Sequence, residues 1–454
     1  MSWFQDVDPA WAWSDSEFRD RKIGLRGAAH LLRRTGFGVP SDRQREFAEL
    51  TSPEAADRLF PDAATVKKFE TSSASLRRLV LGTGDTKQAA AWWLYRMRQS
   101  PDPFREKMTL FWHGHFASSI DKVKETLLMV EQNDLLYKYA TGDFYAMARG
   151  ISHDPAMLIY LDSVSNRKRH PNENYARELM ELFCLGEGNY SELDVQELAR
   201  CFTGWEIKGD RFRFNKYQHD GNTKKVLGKT SMFADDEAVG WVVDHHSCPK
   251  FLAKRIVTFL LADEPVPPIE FLMPLVDTLR NENMSFKGML HKLISSNIFY
   301  SDQVVGRKVR SPVELAVGLL HSLDMTVDLV ALSDRLYNLG QGLFRPPSVK
   351  GWLGGRAWIN SSTLLGRANL VELLLREEKT KFAAGSLEET LKQKGAQKPD
   401  EQLHWLLEQL MAVPVPDGVQ KQLIQVLKTS KDSVDERLRI TVSAIATLPE
   451  FQLN

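Results

Sequence analysis

The run from Asn166 to Gly186, NRKRHPNENYARELMELFCLG, is the chain's densest collection of groups that can hold charge or move protons. At about 100° per residue, Glu173, Asn174, Arg177, Glu178 and Glu181 share one arc of a helix, and Tyr175, Leu179, Leu182 and Phe183 fall opposite. Glu173 to Arg177 and Arg177 to Glu181 have the spacing of helical ion pairs. Glu178 and Glu181, one turn apart, form a carboxylate pair able to bind a cation or share a proton. Read as catalytic, the set is Glu173, Arg177, Glu178 and Glu181. Read structurally, it is a solvated helix face laced by its own salt bridges.

A second block, Pro103 to Phe116, ends in Phe-Trp-His-Gly-His-Phe. Imidazole and carboxylate suit zinc, manganese or iron, so His113, His115, Glu178 and Glu181 are the candidate ligands of a divalent metal ion, with His153, His170 or His219 as additions. Two histidines at i and i+2 leave a helix on different sides, so joint ligation requires the chain to abandon helical geometry near Gly114. The plainer alternative buries both rings among aromatics, each imidazole bonded to a carbonyl. Further polar positions, His219, Asp220, Lys350 and Trp352, are candidates for ligand binding. Trp205, Arg211, Arg213, Lys216, Tyr217, Lys224 and Lys225, together with Trp352 and Trp358, interleave aromatics and cations, a pattern for stacking on sugars or holding polyanions that also describes a charge-blunted edge hairpin. No HExxH, GxSxG, P-loop or GxGxxG motif is present.

These side chains need elements to position them, and the sequence predicts helices almost throughout: an all-α, multi-helix globular bundle. Ser41-Asp42, Ser52-Pro53-Glu54, Thr86 and Ser311-Pro312-Val313-Glu314 read as helix starts. Residues 205–228 alternate around Gly-Asp and Asp-Gly turns and predict a small inserted β-hairpin. The Gly-, Pro- and Trp-rich stretch 340–358 predicts a long ordered loop. The expected organisation is a main helical domain over 1–375 and a smaller helical segment, 376–454, packed on it.

The 454 residues carry 59 basic and 59 acidic side chains, so no overall field draws in nucleic acid or an anionic membrane. Three cysteines without CxxC spacing argue against a disulfide framework or zinc ribbon and for reduced, buried thiols. No apolar run approaches the roughly 18–20 residues of a membrane span. The acidic N-terminal residues do not read as a signal peptide, which predicts a cytoplasmic chain.

Several blocks together resemble the bacterial proteins grouped as domain-of-unknown-function family 1800. They are His30 to Gly38, Phe111 to Phe116, Asn172 to Phe183, Asp194 to Trp205, the loop from His219-Asp220 to Leu227-Gly228, Arg310 to Glu314, Pro346 to Trp352, and Pro449 to Gln452. The resemblance spans nearly the whole chain and brings no established activity. It implies that many members are exported and encoded beside family 1501 proteins, which are similar to alkaline phosphatases and sulfatases, although this sequence shows no leader. Three functions stay open: a metal-assisted enzyme with a His/Glu/Arg site between helices, towards which the gathering of titratable groups tilts the reading; a scaffold or partner of a family 1501 protein; and a glycan- or polyanion-binding protein.

Overall fold

Local capping chemistry sets the helix starts in the computed structural model, which describes residues 3–14, 17–234, 236–429 and 431–454. Ser311 accepts from the Glu314 backbone N–H at 3.3 Å, and Glu314 accepts in return from the Ser311 N–H at 2.7 Å, opening helix Pro312–Ser322. At two other starts the capping residue lies one position earlier than the sequence reading placed it. Thr51, not Ser52, makes the box with Glu54, and Asp85, not Thr86, caps helix Thr86–Gln99. In each case the earlier polar residue has the extended backbone a cap requires.

Helices dominate, as expected. The described residues form three two-stranded antiparallel sheets, and the single hairpin expected over 205–228 is two. Trp205–Lys208 pairs with Arg211–Phe214 around a two-residue turn whose Gly209 and Asp210 both have positive φ. Lys224–Val226 pairs with Lys229–Ser231. Residues 215–223 separate the two hairpins, because the Asp-Gly at 220–221 that reads as a turn starts a connection tied down by side chains. The third pair joins Met325–Thr326 to Lys381–Phe382.

The apolar residues gather into two clusters. One holds Phe104, Trp112, Phe144, Phe183, Leu252 and Leu272. The other holds Trp93, Leu315, Leu319, Leu374, Leu406 and Phe451, so residues 382–451 share a core with 89–130 and 313–375. Helix Pro103–His115 lies between the clusters, giving Phe104, Met108, Phe111 and Trp112 to the first and Leu110 to the second. The helix is buried on nearly every side, its polar residues included. Its charged members are paired: Glu106 accepts from Arg96 at 2.9 Å, and Lys107 donates to Glu314 and, at 3.1 Å, to the Gly36 carbonyl. The chain end is bound in as well. Arg310 donates to the carbonyls of Leu453 at 2.8 Å and Leu410 at 2.6 Å, and Asn454 N–H to that of Lys308 at 2.8 Å.

Candidate functional site

The helix opened by Glu173 keeps α geometry over Asn174–Glu178 and then widens to π geometry over Leu179–Cys184, with the Leu185 N–H reaching back five residues to Met180 at 2.9 Å. That widening redistributes the polar face read from the sequence. Arg177 pairs with Glu173 at 2.8 Å and with Glu192, at a partly exposed surface, and no Arg177–Glu181 pair forms among the described residues. The Arg177 guanidinium is taken up by Glu173 and by Glu192, which opens the next helix, Glu192–Cys201. Glu181 instead accepts from the Tyr190 hydroxyl at 3.2 Å. Glu178 is half-buried, and its pKa is raised by desolvation and by the Glu181 charge, against Arg177 and Lys350.

Glu181 and the adjacent Leu182 line one wall of a cleft of about 710 Å³. Both residues lie in the π turn, Glu181 with its carboxylate and Leu182 with its apolar chain at the same space. Loop residues Val349 to Leu353 form a second wall, contributing Lys350 and Trp352. The loop is held where Gly351, at φ +71°, passes Gly114: a Cβ on Gly351 would lie 2.0 Å from the Gly114 carbonyl oxygen. The two blocks that bear His113–His115 and Lys350–Trp352 therefore meet backbone to backbone.

A third wall is helix Cys248–Leu260. It buries Leu252, Ala253, Ile256 and Val257 and turns Lys250, Phe251, Lys254 and Arg255 to the cleft. Lys250, Lys254, Arg255 and Lys350 have no hydrogen-bonded or ion-paired side-chain partner among the described residues, while the carboxylates of Glu181 and Glu187 also line the space. Positive groups thus outnumber negative ones. Arg255 is accessible from the cleft, yet the walls desolvate it enough to lower its pKa.

His115 lines the same cleft from below. Its Nε2 lies 2.9 Å from the Phe183 carbonyl, which can only accept, so Nε2 carries the proton and the unpartnered, buried Nδ1 is a lone-pair acceptor. Desolvation, and then the Arg255 charge, push its pKa down to about 3, so the ring is neutral. His113 leaves the helix on the other side, against Trp93, Phe344 and Trp352, with desolvation lowering it to about 3 as well. The two rings do not share a space. Among the described residues no group of three His, Cys, Asp or Glu side chains is placed to hold a metal ion.

The remaining candidates lie around the hairpins. His153 stacks on Phe212 at 3.9 Å and meets Trp205 edge-on, and His170 bridges back to Arg167. His219 Nδ1 is 2.9 Å from the Thr203 carbonyl, and Asp220 pairs with Arg200 at 2.7 Å. Lys224 is buried and donates to the Asp220 and Met232 carbonyls, and Arg213 pairs with Glu206. Helix Glu192–Cys201 grips the second hairpin: Asp194 accepts from Leu227 N–H at 2.7 Å and Glu197 from Lys225 N–H at 2.9 Å. Arg211, Lys216, Tyr217 and Lys225 are exposed, and Trp358 is buried. All three cysteines are free and buried.

The cleft thus unites His115, Glu181, Lys350 and Trp352 from the sequence candidates and adds Lys250, Lys254 and Arg255, which sequence reasoning passed over. Their signal was the i, i+4, i+5 spacing in KFLAKR, which sets three cations on one face of an amphipathic helix. Comparison with curated proteins and with solved structures found no match. No helix among the described residues is long and apolar enough to cross a membrane. The model of the family described as "Protein of unknown function (DUF1800)" matches residues 30–453, so the chain belongs to that family.

Proposed function

We propose that the cleft is the working site of the protein and that it binds an anionic ligand. The observation that carries this reading is the set of four unpaired cations, Lys250, Lys254, Arg255 and Lys350, around one concave space. Lys254, Arg255 and Lys350 are exposed and Lys250 is half-buried, so an arriving anion meets them directly and can form several charge-assisted hydrogen bonds at once. A purely structural network pairs its charges, as Lys107 with Glu314 and Arg96 with Glu106 do.

The test is thermal unfolding with inorganic sulfate or phosphate, matched against sodium chloride at equal ionic strength. The wild-type chain is expected to melt higher in the presence of either anion, and a variant carrying Arg255→Met and Lys254→Met to lose that rise. At a ligand concentration about 100 times Kd the stabilisation is about 2.7 kcal/mol. An equal response in wild type and variant overturns the assignment.

A further inference from the structure

We infer that the ligand is amphiphilic, an anionic head joined to an aryl or similarly flat apolar body, and that the body occupies a second chamber behind Trp352. This rests on the anionic-ligand reading of the cleft and names the ligand's class. The second chamber measures about 310 Å³ and shares Lys254, Arg255, Trp352 and Leu353 with the outer cleft. Trp352 and Arg255 therefore stand at the partition, and a molecule seated on Arg255 has open space on both sides of it.

The chemistry of the two spaces differs. The outer cleft carries the unpaired cations. The inner chamber has Phe111, Phe259, Val266 and Trp358 in its walls, together with the Trp352 ring. Its charged groups are already satisfied. Asp263 takes Lys308 at 2.6 Å and the Val309 N–H at 2.8 Å, and Glu314 takes Lys107 and the Ser311 N–H. No unpaired charge other than that of the shared Lys254 and Arg255 lines the inner walls, so an ionic body gains nothing by entering. An aromatic body exchanges water for ring contacts on Trp352 and Trp358. Both chambers lie in or near the size range, about 300–1,000 Å³, of small-molecule sites with apolar walls and a few placed polar groups.

Calorimetric titration of the full chain with 1-naphthyl phosphate, inorganic phosphate and 1-naphthol tests this directly. Naphthyl phosphate is expected to bind at least about tenfold more tightly than either fragment, because it buries a bicyclic ring's surface and keeps the ionic contacts. Val266 is exposed at the chamber rim, so Val266→Trp fills the space without disturbing the core, and it is expected to abolish the gain while leaving inorganic phosphate binding intact. Equal affinity for naphthyl phosphate and phosphate, or a gain that survives Val266→Trp, overturns the two-chamber inference and leaves the anion site standing. Equal affinity for naphthyl phosphate and naphthol overturns the ionic half of it. Failure of all three compounds to bind overturns the anion reading itself and the inference with it.

Discussion

Lys107 is buried and Arg255 is exposed to the cleft, and the two should respond differently to removal. Lys107 is locked to Glu314, so Lys107→Met leaves a buried carboxylate uncompensated and is expected to cost about 3–5 kcal/mol in urea unfolding. Arg255 has no such partner, and Arg255→Met keeps the stem's packing, so stability is expected to hold or rise. A loss on Arg255→Met as large as that on Lys107→Met would mean that Arg255 braces the fold. His115 carries a second expectation. Its folded pKa of about 3 lies below the ordinary 6.5, so its contribution to stability is fully present above 6.5 and is lost as pH falls towards 3. Nitrogen NMR should find the ring neutral, with Nε2 protonated, from about pH 8 to about pH 5, where a free histidine titrates. A midpoint near 6.5 contradicts its burial. At this scale the sequence exposed His115, Glu181, Lys350 and Trp352 because unusual residue types stand out. Lys250, Lys254 and Arg255 were hidden because a cleft wall and a solvated helix face have the same pattern.

The elements that aim these residues depend on two departures from regular geometry. The helix widens to a π turn at Leu179–Cys184, where Glu181 and Leu182 line the cleft, and no wheel drawn at a fixed angle anticipates that widening. The tryptophan loop depends on Gly351, where both a positive φ and a 2.0 Å approach to the Gly114 carbonyl exclude a side chain. Gly351→Ala is therefore expected to destabilise the chain by about 1–3 kcal/mol and to shift Trp352 fluorescence. An unchanged melting temperature and emission spectrum would show that the loop is not seated on Gly114. The Asp194-to-Trp205 block, rich in polar groups, works differently from a catalytic set: Asp194 and Glu197 hold backbone N–H groups of the second hairpin. Asp194→Ala should raise amide exchange across 224–231 while leaving anion binding in the cleft unchanged. Exchange that stays at the wild-type rate removes Asp194 from that role. The hairpin's existence was legible from its Gly-Asp turn. Its doubling was not, because the second turn, Leu227-Gly228, puts a leucine at positive φ that tertiary contacts hold in place.

Over the whole molecule, helical class follows from periodicity, but the sharing of cores does not, since it depends on contacts between distant segments. Residues 382–451 pack with 89–130 and 313–375, and the chain end is tied to Lys308 and Arg310. Truncation after residue 375 is thus expected to abolish cooperative unfolding by stripping one side from a shared core, and a truncated chain that melts cooperatively would show that the first 375 residues fold alone. The zero net charge likewise conceals an uneven distribution, since most charges near the core are paired and those of the cleft are not. The most direct measurement of that central claim is a crystal soaked in selenate, a sulfate analogue located by its anomalous signal. A selenium peak within hydrogen-bonding reach of Arg255 and Lys254, absent from the Arg255→Met, Lys254→Met variant, is the predicted result. Selenate bound elsewhere on the molecule, with the cleft empty at the same concentration, would contradict it.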